Sequence, residues 1–181
     1  MQNTKRAAHL WEEEGVPLLE AILLRDLPSE VHPQIQAYYD ALWQALLEET
    51  EKRLLPALVR AYREDTHPRK RFCHGRGRLV LSLVGEEADG YLSIKRRLSY
   101  VQKGEERTVT HGEVFSTESG RLLPLSHFCP RHPRPLCGKR RARALREAIR
   151  RQDYVVRGGV AHLVTAAEEM PLKGRADAPR S

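Results

Sequence analysis

Apolar and polar residues alternate with period two from Leu79 to Leu125. Leu79, Leu81 and Leu83 form one run. Leu92, Ile94, Leu98 and Tyr100 form a second, and Val109, Val114 and Phe115 a third. Such alternation, bounded by Gly and charge, predicts half-buried antiparallel strands. The acidic stretch Gly85–Gly90 and the pair Lys103-Gly104 are the expected turns, and the third run ends in a Gly turn at Ser119-Gly120 before a short apolar strand. Val16–Leu24 is a short apolar run, and Pro17 near its start and Pro28 after its end favour a strand. Tyr154–Val164 predicts a last hairpin turning at Gly158-Gly159.

The pattern changes to three- and four-residue steps after Pro33, a residue suited to a first helical turn. Ile35, Tyr38, Tyr39, Leu42, Leu46, Leu54, Leu55, Leu58, Val59 and Tyr62 build one apolar stripe. Pro56 falls inside it, lacks the N–H and clashes with the Lys52 carbonyl, so a kink or break is expected there. Leu42, Leu46, Leu58 and Tyr62 are expected to pack on Leu81, Leu83, Leu92 and Ile94. Arg140–Gln152 predicts a second, short helix with Ala142, Leu145, Ala148 and Ile149 on one face. The fold class is therefore α+β: an antiparallel sheet of about four to five strands against one long helix, with a short basic helix after it. Residues 1–15 are expected as an N-terminal tail, 16–165 as a single domain and 166–181 as a disordered C-terminal tail.

Charge changes the picture at one place. The chain of 181 residues has a formal charge of +7, and Lys139–Arg151 holds seven cations against Glu147 alone. Arg140, Arg143, Arg146 and Arg150 lie near one side of that helix, where they suit phosphate or an acidic partner. A solvated helix face has the same spacing. A second basic stretch runs from Arg69 to Arg78 and includes Arg76 and Arg78 in a Gly-Arg-Gly-Arg phrase. It has one aromatic, Phe72, too few for a base-stacking platform.

Cys73, Cys129 and Cys137 make an odd count, read as reduced thiols of a cytoplasmic protein with no structural disulfide. Cys129, His132 and Cys137, with Cys73-His74, do not have the spacing of a zinc site, so no metal and no cofactor are expected. Cys129 near His127 and His132, or Cys73 beside His74, leaves a small Cys/His enzyme as a third reading. No phosphate-binding loop, dinucleotide fingerprint or His-Glu-x-x-His motif is present. No run approaches the ~18 apolar residues of a membrane span, and no signal segment is recognisable. His111 lies on a predicted strand, where it could face a cleft.

The order of elements, with Trp11 and Gly15-Val16-Pro17-Leu18-Leu19 before the helix, Tyr38-Tyr39 on it, and Leu92-Ser93-Ile94 with Tyr100 in the meander, carries a resemblance. So do Ser119-Gly120-Arg121-Leu122-Leu123-Pro124-Leu125, Phe128-Cys129-Pro130 and the Tyr154–Val164 hairpin. Over about residues 11 to 165 the chain resembles the RsiV-like domain of unknown function, the extracytoplasmic part of RsiV-type anti-sigma factors that also accompanies the deacetylase PdaC. Where that family often has Gly-Gly-Ala-His, this chain has Thr110-His111-Gly112-Glu113. The resemblance implies a non-enzymatic binding or regulatory module with a protein partner, here acting inside the cell. The alternative is a nucleic-acid-associated protein using 139–151 and 69–78, with at most weak, non-specific binding. Binding residues under these readings are Arg140, Arg143, Arg146, Arg150, His111, Arg76 and Arg78. Oligomeric state does not follow from the sequence.

Overall fold

A computed structural model describes residues 3–65, 76–102, 105–129 and 139–172; side chains are described from residue 5 onward and, in the last segment, from 143. Five strands form the main sheet in the order β1-β2-β3-β4-β5. They are β1 (Asn3–Glu13), β2 (Val16–Leu27), β3 (Gly77–Ala88), β4 (Tyr91–Gln102) and β5 (Glu105–Ser116). A helical unit follows β2: α1 (Pro33–Glu49), a π-turn (Thr50–Leu54) and α2 (Leu55–Arg63). That crossover returns the chain parallel, so β2 and β3 are a parallel pair in an otherwise antiparallel sheet. This corrects the expectation of an all-antiparallel sheet.

The N-terminal residues expected as a tail form β1. The hairpin β1–β2 turns at Glu14-Gly15, with φ of 51° and 75°. β3–β4 turns at Asp89-Gly90, with φ of 53° and 79°. Positive φ at both central residues is the hairpin geometry that matches strand twist, and Gly takes it without steric cost. β3 thus runs on to Ala88 and shortens the acidic turn expected at Gly85–Gly90 to two residues. The Lys103-Gly104 turn lies outside the described residues.

The helical unit covers the sheet face that carries Leu19, Ala21, Leu23, Leu79, Leu81, Leu83, Leu92 and Ile94. Leu18 also joins this core beside Leu19, because the register of β1–β2 slips at Trp11/Glu12 and leaves Leu18 the extra residue of a bulge. From the helices come Ile35, Tyr39, Trp43, Leu58 and Tyr62. Leu58 and Tyr62 are buried as expected. Leu42 and Leu46 are only half-buried, since Trp43 points inward and turns the buried face by one residue. The break expected at Pro56 is the π-turn. The Leu55 N–H reaches back to the Thr50 carbonyl, one residue wider than an α-bond, just before the ring of Pro56.

A second sheet, β6 (Tyr154–Arg157), β7 (Val160–Val164) and β8 (Glu169–Pro171), lies in the order β6-β7-β8. β8 and the buried Leu172 correct the expected disordered tail over 166–172; 173–181 lie outside the described residues. The hairpin at Gly158-Gly159 is present. Helix α3 (Lys139–Arg151) buries Leu145 and Ala148 against this sheet, with Val114, Leu125, Phe128 and Tyr154. The short strand expected before Leu125 is reduced to a single bridge, Phe115 to Leu122, and a 3-10 turn at Leu125–His127.

The two sheets are joined by hydrogen bonds. Ser93 Oγ donates to the Val156 carbonyl at 3.1 Å and accepts from its N–H at 2.9 Å. Glu169 accepts from Lys95 Nζ at 2.8 Å and from Arg157 Nε at 2.9 Å. Burial pushes the Glu169 carboxyl up, but these two cations outweigh it and hold it below its ordinary 4.5. A depressed carboxyl contributes stability above its unfolded pKa and loses it as pH falls through the folded one. An acid series should therefore lower the melting temperature of the wild type more steeply than that of Glu169→Gln, which starts lower at neutral pH and is flatter. Parallel pH profiles would separate Glu169 from acid stability.

Candidate binding cleft

β4 and β5 pair Arg96 with His111 and Ile94 with Glu113. Opposed residues share a face, so Arg96, His111 and Glu113 stand on the helix-covered side, the latter two on the edge strand β5 and Arg96 beside them on β4. Two consecutive tyrosines of α1 reach the same carboxylate. Tyr38 Oη donates to Glu113 Oε1 at 2.8 Å and Tyr39 Oη to Oε2 at 2.5 Å. An Arg96 nitrogen lies 3.5 Å from Glu113 Oε1, while its buried Nε has no hydrogen-bond partner among the described residues. Burial, then the hydrogen bond and charge of Glu113, push the Tyr38 phenol up to about 12. Burial and the same carboxylate push Tyr39 far above its ordinary value. Both hydroxyls therefore stay protonated donors at neutral pH.

Beside this cluster His111 Nδ1 lies 2.8 Å from Asp153 Oδ1, the residue between α3 and β6. A cleft of about 400 Å³ opens here, lined by Arg96, His111, Glu113, Leu123, Arg151 and Asp153. Both oxygens of Glu113 accept from tyrosines, and Asp153 orients the His111 ring. The cationic groups that line the space are Arg96 and Arg151, with His111 between them.

The predicted basic helix runs into the cleft through Arg151. Arg143, Arg146 and Arg150 are exposed on the side opposite Leu145 and Ala148. Glu147 accepts from Arg150 at 2.7 Å and from Arg151 at 2.7 Å, and those bonds hold its carboxyl below the usual range. The side chain of Arg140 lies outside the described residues. Arg76 and Arg78 go elsewhere. With Arg6 they converge on Glu20, at 3.4, 3.5 and 3.6 Å. Arg78 pairs with Val101, which pairs with Glu106. Glu106 is six residues from Gly112, or about 20 Å along β5 at strand rise. The structure thus brings His111 to the arginine helix and leaves Arg76 and Arg78 apart. Arg69 to Arg71 lie outside the described residues.

Tyr38, Tyr39, Arg96, Glu113 and Asp153 were not singled out as site residues by the sequence reading. The readable signal was charge at core-facing positions of β4 and β5, where alternation calls for apolar side chains.

Cys73, Cys137, His74 and His132 lie outside the described residues. Cys129 is a half-buried free thiol, and burial pushes it up. An activated nucleophile needs the opposite shift. His127 packs edge-on against Tyr91 and Phe128. Among the described residues no group of His, Cys, Asp and Glu has the arrangement of a metal site, and no helix is long and apolar enough to cross a membrane.

No family model and no curated protein matches the chain. A solved structure, a DUF3298 family protein from Pseudomonas aeruginosa PAO1, is similar over 99% of this chain and 98% of its own, with TM-score 0.45 and 13% identity.

Proposed function

We propose that the chain is a non-enzymatic binding or regulatory module that works inside the cell by docking an acidic segment of a protein partner. The observation that carries this reading is a row of arginines: Arg143, Arg146 and Arg150 on α3, then Arg151 and Arg96 in the cleft, beside His111. Guanidinium groups fixed by Glu113 and Glu147 present planar donors to carboxylates with little rotamer freedom left to lose. The resemblance to the RsiV-like domain points to the same class.

Two features weigh against the nucleic-acid alternative. Arg78 of the second basic region lies about 20 Å away along the sheet, and Arg76 and Arg78 already share Glu20. Among the described residues nucleic acid would then meet α3, through phosphate contacts that salt screens.

Titration of a short Asp/Glu-rich peptide, duplex DNA and single-stranded RNA at two salt concentrations tests the reading. A variant with Arg→Gln at 140, 143, 146 and 150 is the control. We expect peptide binding that the variant weakens at least about tenfold, roughly 1.4 kcal/mol. Nucleic acid should bind no tighter than ~10⁻⁴–10⁻⁶ M at physiological salt. No peptide binding, or sequence-preferring nucleic-acid binding near 10⁻⁸ M, would overturn the proposal.

A further inference from the structure

The two edges of the main sheet are treated differently. β5 is covered along its second half: Ser116 N–H donates to the Arg121 carbonyl, Leu123 N–H donates to the Val114 carbonyl, and Asp153 and Tyr154 lie against its middle. The other edge is β1, an 11-residue strand whose outer side meets no neighbour in the sheet among the described residues. Natural sheets blunt such an edge with Pro, a bulge, a covering loop or charged side chains, and of these β1 has charges, at its two ends. β1 has no Pro, and the bulge at its pairing belongs to β2. Lys5, Arg6, Ala7, Ala8, His9 and Leu10 are all exposed.

The charges of β1 are self-complementary. Lys5 and Arg6 stand near one end and Glu12 and Glu13 at the other. We propose that β1 pairs antiparallel with β1 of a second copy about a two-fold axis at His9, joining two five-stranded sheets into one. In that register Lys5 faces the second copy's Glu13, Arg6 its Glu12 and Ala8 its Leu10, and each pair occurs twice by symmetry. Residues directly opposite share a face and touch, and opposite charges there are favourable while like charges are not. Parallel pairing in register would set Lys5 and Arg6 against themselves. A slip of two residues one way leaves Arg6 against Leu10; the other way it leaves Glu12 against Ala8.

The present ion pairs leave room for this. Arg63 reaches Glu13 and Arg6 reaches Glu20, in both cases an exposed arginine on a half-buried carboxylate, while Lys5 and Glu12 have no ion-pair partner among the described residues. Leu10, 44% exposed, gains an apolar neighbour. An isologous contact of this kind closes at two copies. The interface lies at the opposite edge of the sheet from the cleft, so it is independent of the binding reading above.

Sedimentation velocity over a concentration series tests it on three samples: the wild type, Lys5→Glu with Arg6→Glu, and Glu12→Lys with Glu13→Lys. The first double variant has two acidic ends and the second two basic ends. We expect a wild-type dimer, monomers for each double variant with at least a tenfold weaker association, and recovery of a dimer when the two variants are mixed. Far-UV circular dichroism reports whether each variant folds; Leu10→Lys, at an exposed site, is the replacement if one does not, and it too should be monomeric. A wild type that stays monomeric at every concentration would overturn the proposal. So would variants that remain dimeric, or a mixture that does not pair.

Discussion

Truncation of Tyr39 to alanine lowers the unfolding free energy by about 3–5 kcal/mol, the cost of removing a large aromatic from a closed core. Tyr39 has no exposed surface and packs edge-on against Phe115 and Tyr38, with ring centroids 6.0 and 5.0 Å away. Its ring fastens α1 to β5, and its hydroxyl sets one oxygen of Glu113. Tyr39→Phe separates the two roles. The ring stays, and Glu113 loses one donor in a half-buried place, at a cost of about 1–3 kcal/mol. Tyr38→Ala serves as the contrast, because Tyr38 is 39% exposed and its loss leaves the core filled. Urea denaturation measures all three through the midpoint at constant slope. A Tyr39→Ala midpoint no lower than that of Tyr38→Ala would remove Tyr39 from the core.

The strands with strict alternation were legible in the sequence. Leu79, Leu81 and Leu83 are buried on one face while Val80, Ser82 and Val84 are not, because the helical unit covers only that side. β1 was not legible. Its Lys5–Leu10 stretch is exposed on both faces, so no burial imprints a period on it, and it is held as a strand by the ladder to β2. β8 escaped for the same reason, being three residues at a sheet edge. The parallel pairing of β2 and β3 depends on where the helices return the chain, which periodicity does not encode. In the helix the stripe was readable, yet choosing between Leu42 and Trp43 requires knowing the angle at which the helix lies on the sheet.

The candidate site was legible in part. His111 could be placed on a strand, and the arginines of α3 on one side of a helix, from spacing alone. The cleft itself needs three separate elements to meet: the α1 tyrosines, the β4–β5 register that aligns Arg96 with His111, and the turn that brings Asp153 to the sheet edge. Each is a long-range contact with no local signature. Arg76 and Arg78 show the converse. Their local charge suggested a ligand, and the half-buried carboxylate of Glu20, opposite Arg78 on the adjacent strand β2, lies beside both.

Substitution of Gly112 by alanine should cost about 1–3 kcal/mol through overpacking, and Gly112→Val more. Gly112 sits on β5 where the start of β6 crosses it. A Cβ added there would lie 2.6 Å from the Tyr154 carbonyl oxygen, 2.7 Å from the Tyr154 carbonyl carbon and 2.7 Å from Val164 Cγ2. Two of those atoms are backbone and cannot rotate away, so β6 itself must lift from β5. His111 and Asp153 flank the contact in sequence, and the lift draws their 2.8 Å hydrogen bond apart. The damage should therefore be local. Amide hydrogen exchange is expected to speed up in β6 and β7, while β3 and β4, under the helices, keep their protection. Binding of the acidic peptide should fall with it, because Arg151 and Asp153 move away from Arg96. An alanine variant with wild-type stability and unchanged exchange in β6 would mean that the two sheets do not touch at Gly112.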